Sequence, residues 1–335
     1  MDIEQPGVLI AYLKDSQHIP AHEEPATRVL SGGVSNRTVL VERPAGESWV
    51  IKQALAKLRV PVDWFSSPER IQREALGLRW LAQLAPPETI PPLIFEDQAH
   101  HLLAMQAVPQ PHANWKTLLL AGQLESEHVA QFGRLLATIH RRAYKRRETL
   151  ASIFADCSFF ESLRLEPYYS YTAGQTPAAA PFLQALIAET RACRLTLVHG
   201  DYSPKNILVY RDRLILLDHE VIHFGDPAFD LGFSLTHLLS KAHHLPHQRE
   251  AFAAAAGHYW QVYRQTLGDL AWAGALEARA VRHTLACLLA RVAGRSRLEY
   301  LSSEEKARQG EAVLALLPAP PATIAGLIAQ FLTRL

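Results

Sequence analysis

The chain has 335 residues, of which 48% are hydrophobic and 20% are charged, and its formal net charge at pH 7 is +1. This length exceeds one ordinary domain and is enough for two lobes with separate cores. The nearly balanced charge gives no reason to expect nucleic acid or an anionic membrane surface as a partner.

The first third of the chain reads as a short helix followed by strands. A helix is predicted at residues 6–15, and strands are predicted at residues 27–30, 37–42 and 48–53. The turn between the first two strands contains Ser31, Gly32, Gly33 and Ser35. A strand, a glycine-rich turn and a second strand can lay backbone N–H groups over nucleotide phosphates, so these residues are candidates for nucleotide binding. The alternative is an ordinary hairpin turn in which glycine supplies a positive φ.

Lys52 ends the third predicted strand, a position from which a strand lysine reaches the α- and β-phosphates of ATP. A carboxylate from the next helix is needed to orient it. The helix predicted over residues 68–81 follows Ser67 as its N-cap and carries apolar side chains at helical spacing. Glu74 of this helix is the predicted partner of Lys52, with Glu69 as the fallback and a solvated glutamate as the alternative.

A buried strand is predicted from residue 102, and it continues as an extended segment through Gln106 and Val108. At this place a kinase chain crosses between its lobes, and its backbone meets the adenine ring. Gln106 and Val108 are therefore candidates for nucleotide binding. The assignment depends on position alone, because a plain core strand has the same composition.

From residue 126 onward the sequence becomes strongly helical. Helices are predicted at residues 126–147, 181–192, 229–241, 247–267, 275–292, 303–315 and 321–334. The sequence therefore predicts an α+β protein with a small antiparallel β-rich lobe, residues 1–108, and a larger, mainly helical lobe, residues 109–335. This order of lobes is the one found in kinases.

The run His-Gly-Asp-Tyr-Ser-Pro-Lys-Asn at residues 199–206 is the most informative motif of the chain, and it places Asp201 five residues before Asn206. This is the spacing of a kinase catalytic loop, in which Asp accepts the proton of the attacking hydroxyl and Asn holds Mg²⁺. Asp201 is therefore the predicted catalytic base and Asn206 a predicted metal ligand. His199 is interpreted as a hydrogen-bonded brace of the loop. A turn capped by Asp201 is the alternative.

A second aspartate has to reach the same metal. Residues 206–210 and 214–217 are short apolar strands around a turn at residues 211–213, so their hairpin is expected to bring Asp218 next to Asn206. Asp218 is the predicted second metal ligand. Glu220, two residues further and expected to point the same way along the strand, is a further candidate. The alternative is that Asp218 only ends a strand.

These motifs resemble those of the aminoglycoside phosphotransferase and choline kinase superfamily, which shares its architecture with protein kinases. The run Gly-Asp-Pro-Ala-Phe-Asp-Leu-Gly at residues 225–232 and the helical segment at residues 132–140 extend the resemblance over most of the chain. The resemblance implies a bilobal protein-kinase-like fold, ATP as the phosphoryl donor and Mg²⁺ as the metal. It also implies that Asp230 braces the catalytic loop without touching the substrate.

The family leaves the acceptor open, because its members vary in the helical lobe. Between residues 237 and 300 there are four acidic residues against eight Lys or Arg, which disfavours a polycationic acceptor. Two segments, residues 51–74 and 290–294, resemble 5-methylthioribose kinase, in which paired arginines approach the sugar and the phosphates. Arg291 matches one of them, and Ala290 replaces the other. Arg291 and Arg295 are candidate substrate ligands, and a basic helix C-terminus is the alternative.

The chain also departs from methylthioribose kinases, which lack the metal-binding Asn that Asn206 supplies. The resemblance therefore implies a related but distinct ATP-dependent kinase of a small sugar-like alcohol. An aminoglycoside, antibiotic or choline-type amino-alcohol kinase is one alternative. A catalytically dead pseudokinase is another, and the intact set of catalytic and metal-binding residues argues against it.

Cys157, Cys193 and Cys287 are far apart and show no metal-ligand spacing. No stretch reaches the roughly 18 apolar residues needed to cross a bilayer. The first residues lack the basic segment and apolar core of a secretory signal. We therefore expect a cytoplasmic enzyme whose partners are ATP and a small acceptor alcohol, with neither nucleic acid nor a membrane.

Overall fold

An antiparallel sheet of five strands occupies the first third of the chain. It is seen in a computed structural model, which describes residues 1–30, 33–44, 46–60 and 63–335. The elements are α1 (Pro6–Asp15), β1 (Ala26–Val29), β2 (Asn36–Glu42), β3 (Trp49–Ala54), α2 (Arg70–Leu84), β4 (Leu93–Asp97) and β5 (Leu102–Gln106). The strands lie side by side in the order β1-β2-β3-β5-β4. All these elements except β4 were predicted from the sequence.

The alternation of side chains along β3 decides which of them face the next helix. Trp49 and Ile51 pack with α1 in one apolar cluster. Lys52 points the other way, where its amine meets Glu74 of α2. Glu74 belongs to the buried stripe of this helix. The helix begins at Arg70, two residues later than predicted.

The rest of the chain is mainly helical. Its helices are α3 (Trp115–Leu120), α4 (Ser126–Lys145), α5 (Arg147–Ile153), α6 (Ser158–Phe160), α7 (Tyr171–Gln175), α8 (Ala180–Ala192), α9 (Pro227–His244), α10 (Arg249–Leu267), α11 (Leu276–Ala293), α12 (Ser303–Leu314) and α13 (Ile324–Leu332). A π-helix, Glu161–Ser170, runs between α6 and α7. Short 3₁₀ turns occur at Pro177–Ala179, Pro204–Asn206, Pro246–Gln248 and Ala273–Ala275. The division of the chain after residue 108 remains a prediction.

Helix α9 is the central helix of this part and is buried along nearly its whole length. It packs against α10 and α11. A Cβ at Gly232 of α9 would lie 2.4 Å from the Cβ of His283 on α11. Because residue 232 is glycine, α9 and α11 can approach closely. This close approach sets the position of α9 relative to α11.

Two small sheets frame the loop at residues 199–206. In one of them β7 (Thr196–Val198) pairs with β10 (His223–Gly225), and in the other β6 (Ala113–Asn114), β8 (Ile207–Tyr210) and β9 (Arg213–Leu216) lie side by side. Arg211 and Asp212 turn the hairpin between β8 and β9 with φ values of 49° and 59°. Positive φ at both positions is typical of the tightest hairpin turns. The predicted hairpin is thereby confirmed.

The segment at residues 147–180 contains helices that the sequence pattern does not predict. Pro167 lies inside the π-helix, and an internal proline argues against helical structure in a sequence-based reading. Tertiary packing overrides this preference, since Leu163, Leu165 and Tyr169 are almost fully buried. In the described part of the chain, none of the helices has the length and apolar character needed to cross a membrane.

Candidate active site

Lys52 lies between two carboxylates. Its Nζ is 2.6 Å from Oε1 of Glu74 and 2.8 Å from Oδ1 of Asp218. Lys52 and Glu74 are both buried, whereas the fallback partner Glu69 is exposed. Strand β3, helix α2 and the segment after β9 therefore meet at one cationic group, and Glu74 is the helix residue that orients it.

In this cluster, burial and the attraction of opposite charges shift the pKa of each group in opposite directions. Burial disfavours the ammonium of Lys52, but the carboxylates of Asp218 and Glu74 raise its pKa above the usual value. Burial raises the pKa of Glu74 to about 7, against the attraction of Lys52. Burial also disfavours the Asp218 carboxylate, but Lys52 holds its pKa below the usual range. Lys52 is therefore protonated and Asp218 ionised at neutral pH.

The loop at residues 199–206 is held by a buried carboxylate on α9. Oδ2 of Asp230 accepts a hydrogen bond from the N–H of His199 at 2.7 Å, and Oδ1 accepts one from the N–H of Gly200 at 2.8 Å. Gly200 has φ +77°, and a Cβ on it would lie 2.9 Å from Cγ2 of Val221. The turn therefore requires glycine. Asp230 acts on the backbone of the loop, which matches the brace that the resemblance implies.

One carboxylate oxygen of Asp201 takes part in both a hydrogen bond and an ion pair. Its Oδ2 accepts a hydrogen bond from Nδ2 of Asn206 at 2.7 Å and lies 2.8 Å from Nη2 of Arg164. The same Asn206 nitrogen also donates to the Asp201 carbonyl at 3.0 Å. Because the nitrogen of this amide is committed to Asp201, its Oδ1 is the atom left for a metal ion.

Arg164 is a candidate functional residue that the sequence analysis missed. It lies on the π-helix and is buried, and its Nε donates to the carbonyl of Gly200 at 2.8 Å. Burial disfavours its charge, yet the Asp201 carboxylate raises its pKa. Arg164 thus holds both the side chain of Asp201 and the backbone beside it. The one sequence signal was an arginine among apolar residues, where an unpaired charge is costly.

His199 and His219 form a buried pair. The N–H of Asp201 donates to Nδ1 of His199 at 3.2 Å, so that nitrogen carries no proton. Nε2 of His199 then donates to Nδ1 of His219, at 3.0 Å. Burial lowers the pKa of both imidazoles. Neutral His199 therefore supports the loop, in agreement with its interpretation as a brace.

Asp218 and Glu220 reach the site through a turn. Strand β9 ends at Leu216, and Asp218 has φ 69°, the left-handed conformation that Asp adopts more readily than most residues. The N–H of Ile222 bonds to the carbonyl of His219 at 3.2 Å, which closes the turn. The expectation that Glu220 points along a strand is therefore wrong, because no strand continues past Leu216.

Glu220 nevertheless lies next to Asp218. Its Oε2 accepts hydrogen bonds from Nε of Arg70 at 3.1 Å and from Nδ2 of Asn36 at 3.3 Å. Burial and the nearby Asp218 raise its pKa, against the attraction of Arg70. Arg70 also donates to the carbonyls of Ser35 and Leu55. This arginine, which the sequence analysis also missed, ties the glycine-rich segment to the acidic cluster.

The donor atoms suit a hard divalent cation. Single oxygen atoms of Glu74, Asp218 and Glu220 lie within 4.8 Å of one another. Oε2 of Glu74 is buried without a hydrogen-bond partner among the described residues. The N–H of Leu217 donates to the Asn206 carbonyl at 2.9 Å, so Asp218 follows directly beside Asn206. Carboxylate and amide oxygens of this kind are what Mg²⁺ prefers.

The glycine-rich turn is described in part. Ser31 and Gly32 lie outside the described residues, so the predictions for them have no structural counterpart. Ser35 is buried, and its carbonyl accepts the N–H of Leu55 at 3.0 Å. A Cβ on Gly33 would meet only ordinary contacts, the nearest 3.7 Å away. Packing among the described residues therefore does not require glycine at position 33.

The segment after β5 offers one free amide to a nucleotide. The N–H of Gln106 donates to the carbonyl of Pro92 at 2.9 Å, and the N–H of Ala107 donates to that of Ser48 at 2.8 Å. Within residues 1–30, 33–44, 46–60 and 63–335, the N–H of Val108 has no acceptor. Val108 is therefore the better placed of the two predicted residues for donation to a base.

The structure separates the two predicted substrate arginines. Arg291 is buried, and its Nη1 donates to Oη of Tyr168 at 2.9 Å and to Oγ of Ser296 at 2.8 Å. Arg295 lies over the ring of Tyr171 at 4.5 Å and reaches Glu166 at 3.1 Å. Arg291 is therefore not a solvated helix end, while Arg295 is already paired with a carboxylate.

The sheet, the helical part and the braced loop between them define a protein of the kinase-like fold class. The chain belongs to the phosphotransferase enzyme family, whose model matches residues 26–268. The predicted superfamily is thereby confirmed.

Three comparisons place the chain more closely. Methylthioribose kinase 2 of Oryza sativa subsp. japonica is 27% identical over 263 residues, which cover 69% of this chain and 61% of the relative, less than two thirds of its length. The structure of amicoumacin kinase hAmiN in complex with AMP-PNP, Ca²⁺ and Ami gives a TM-score of 0.61 at 14% identity, over 92% of this chain and 94% of that chain. A choline/ethanolamine kinase family protein from Mesorhizobium loti gives 0.55 at 15% identity, over 97% and 98%. These two structures confirm the predicted fold.

Proposed function

We propose that this protein transfers the γ-phosphoryl group of ATP to a hydroxyl of a small sugar-like alcohol, with Mg²⁺ as the metal. The observation that carries the proposal is the pair of charge clusters on the two sides of the site. Lys52 is held between Glu74 and Asp218, and Asp201 is held by Asn206 and Arg164. Phosphoryl transfer needs a cation that binds the phosphates, here Lys52, and a carboxylate that accepts the proton of the attacking hydroxyl, here Asp201.

In the proposed reaction the acceptor oxygen forms a bond to the γ-phosphorus while its proton passes to Asp201. The bond between the γ-phosphorus and the β,γ-bridging oxygen breaks, and ADP leaves with that electron pair. Asn206 and Asp218 would hold Mg²⁺, with Glu220 as a further ligand. The metal, when bound, neutralises charge on the phosphates. Asp230 and Arg164 keep the loop and the Asp201 carboxylate in position.

Binding of the nucleotide is proposed for the cleft between the sheet and the helical part, with the lobe boundary after residue 108. Lys52 would contact the α- and β-phosphates, Gly33 and Ser35 would cover them, and Val108 would meet the base. The ligands of the amicoumacin kinase structure, AMP-PNP and Ca²⁺, support the use of ATP and a divalent cation on this fold.

The sugar-like acceptor is supported by sequence similarity and by charge. The relative with 27% identity is a methylthioribose kinase. Buried Arg291 presents a planar fork of donors beside Tyr168, which suits the oxygens of a sugar and repels a polyamine. Among the described residues it is paired with no carboxylate.

The test is ATP consumption with Mg²⁺ across pentoses, their thio derivatives, hexoses, the acid and phosphate derivatives of these sugars, choline and aminoglycosides. Turnover is expected with at least one sugar or sugar derivative, and Asp201→Asn should lower it by roughly 10² to 10⁴ in the same assay. Preferred turnover of choline or an aminoglycoside over every sugar would overturn the assignment of the acceptor. Absence of transfer to all of them would overturn the proposed function.

A further inference from the structure

Helix α9 carries a row of side chains that leads away from the catalytic loop. Phe233, His237 and Lys241 follow one another at intervals of four residues and therefore share one face of the helix. Asp230, which braces the loop, lies on the same helix one turn before Phe233. The ring of Phe233 packs on that of His237, with centroids 5.2 Å apart. The far end of the row is a lysine.

Lys241 is fully buried. Its Nζ donates to the carbonyl of His237 at 3.2 Å, so the side chain curls back toward the catalytic loop. The amine also lies 5.4 Å from the centroid of the Tyr300 ring. No carboxylate in the described part of the chain pairs with it. A buried ammonium without a counter-ion is costly, so this position calls for an explanation.

Further cations surround this lysine. Nζ of Lys116 lies 5.9 Å from the centroid of the same Tyr300 ring, and its one carboxylate partner, Glu299, is largely exposed. Burial, together with the positive charges of Lys116 and Arg291, lowers the pKa of Lys241 to about 7, against the attraction of Glu299. Burial and the charges of Arg291, Lys241, Lys116 and Lys205 likewise lower the pKa of His237. The cations are therefore close enough to repel one another.

Several polar atoms in this region have no partner. Nε2 of His237, Nε of Arg291 and Oη of Tyr300 are buried and unpaired among the described residues. The residues His237 and Arg291 are themselves nine-tenths or more buried, at 4% and 9% exposure. Buried donors are normally satisfied by protein, water or ligand. Unpartnered polar atoms next to Lys241 and Arg291, which have no carboxylate partner among the described residues, indicate that the missing partner is an anion.

The cluster is continuous with the catalytic site. The guanidinium of Arg164, which holds Asp201, lies 5.9 Å from the ring centroids of both Tyr168 and Phe233. The guanidinium of Arg291 lies 5.6 Å and 5.9 Å from the same two centroids. Two aromatic rings therefore separate the arginine at the base from the arginine of the cluster.

A second connection comes from the other side. Asn114 donates from Nδ2 to the carbonyl of Lys205 in the catalytic loop at 2.7 Å. Its Oδ1 accepts the N–H of Lys116 at 3.1 Å, so the first turn of α3, which carries Lys116, lies against that loop. An acceptor molecule that reaches Asp201 therefore has the cation cluster beside it.

We infer that Lys241, Lys116, Arg291 and His237 form a subsite for an anionic group of the acceptor, a carboxylate or a phosphate at some distance from the hydroxyl that is phosphorylated. That the anion belongs to the acceptor rests on the proposed kinase function. Binding of the anion itself does not depend on that proposal. It makes the substrate class a polyhydroxy acid or a sugar phosphate. A neutral sugar would leave the cations unpaired, and a polyamine would be repelled.

The test compares binding with turnover. Thermal stability is measured at constant ionic strength with gluconate, glucose 6-phosphate, inorganic phosphate or neutral glucose, since a ligand of the folded state raises the unfolding midpoint. The variants are Lys241→Met and Lys116→Met, which remove charge and keep similar volume. Lys145→Met, at the exposed end of α4, is the matched control. Lys116 is only half-buried, so its variant stays informative if Lys241→Met does not fold.

We expect gluconate or glucose 6-phosphate to raise the midpoint of the wild type and of Lys145→Met at concentrations at least tenfold below those needed with glucose. Both cluster variants should lose this preference while ATP still protects them. Protection by gluconate alone assigns a carboxylate, and protection by glucose 6-phosphate and inorganic phosphate assigns a phosphate.

Equal protection by glucose, no protection by any anion, or unchanged protection in both cluster variants would overturn the inference. Loss of protection by ATP in those variants would also overturn it, because the cations would then serve the nucleotide. Anion binding without transfer to any acceptor would leave the subsite standing and remove the kinase proposal.

Discussion

Nη2 of Arg164 lies 2.8 Å from Oδ2 of Asp201, the same carboxylate oxygen that accepts the amide proton of Asn206. Among the described residues, no hydrogen bond to the second oxygen, Oδ1, is formed. A hydrogen bond and an ion pair on one oxygen restrict the orientation of the carboxylate, and in the proposed reaction the other oxygen receives the incoming hydroxyl. Orientation of this kind is a large part of what an enzyme contributes to phosphoryl transfer.

The replacement Asp201→Asn keeps the size of the side chain and removes the proton acceptor. We expect kcat to fall by roughly 10² to 10⁴ while ATP affinity is nearly unchanged, because proton transfer to a positioned base contributes about this much. Steady-state kinetics and nucleotide titration check the two quantities separately. Full turnover in this variant would show that Asp201 is not the base.

The replacement Arg164→Gln should act through Asp201. We expect kcat to fall by roughly 10 to 10², the effect of a misplaced reacting group, with the KM for ATP unchanged. Arg191→Gln is the matched control, because Arg191 pairs with Glu161 at the start of the same π-helix and its side chain is 55% exposed. Partial rescue by Arg164→Lys would indicate that the charge matters as well as the geometry. A loss of kcat in the control as large as in Arg164→Gln would contradict a specific role.

The replacement Asp218→Asn removes one proposed metal ligand and one partner of Lys52. We expect the Mg²⁺ concentration for half-maximal activity to rise by at least tenfold, because a neutral amide replaces a carboxylate in the ligand set. A titration of activity with Mg²⁺ at saturating ATP measures the shift. Asp212→Asn, in the exposed hairpin turn, is the control. An unchanged Mg²⁺ requirement in Asp218→Asn would remove this residue from the metal site.

Buried His223 should make the protein sensitive to acid. It stacks on Phe160 with ring centroids 4.0 Å apart, and burial lowers its pKa from 6.5 to about 4. A depressed pKa contributes stability that is fully present above pH 6.5, the unfolded value, and is lost as the pH falls toward 4. This group alone accounts for about 3 kcal/mol of unfolding free energy over that range.

Urea unfolding at pH 7, 6, 5 and 4.5 measures this loss. His223→Gln should show a smaller decline of unfolding free energy between pH 6.5 and 4.5 than the wild type, whatever its absolute stability. His22→Gln, at an exposed position, should decline like the wild type. Parallel declines in wild type and His223→Gln would show that His223 does not carry the effect.

Most of the fold was readable from local patterns. The strands around Lys52, the helix of Glu74 and the hairpin before Asp218 all appear in the structure close to their predicted positions. Each depends on short-range periodicity or on turn residues, which act over a few positions of the chain. Strand β4 was missed although it is as long as β5, and the π-helix was missed because it contains Pro167.

By itself the sequence determined the family, the order of sheet and helices, and the spacing that makes Asp201 and Asn206 candidates, since motif spacing and periodicity are local properties of the chain. Only the tertiary structure decided which charged side chains, distant from one another in the chain, lie close together. Arg164 reaches Asp201, Arg70 reaches Glu220, and Lys116 meets Lys241 at one tyrosine ring. These pairs join residues far apart in the chain, and they exist because tertiary packing brings helices, turns and the π-helix together and buries long charged side chains, where an unpaired charge is costly.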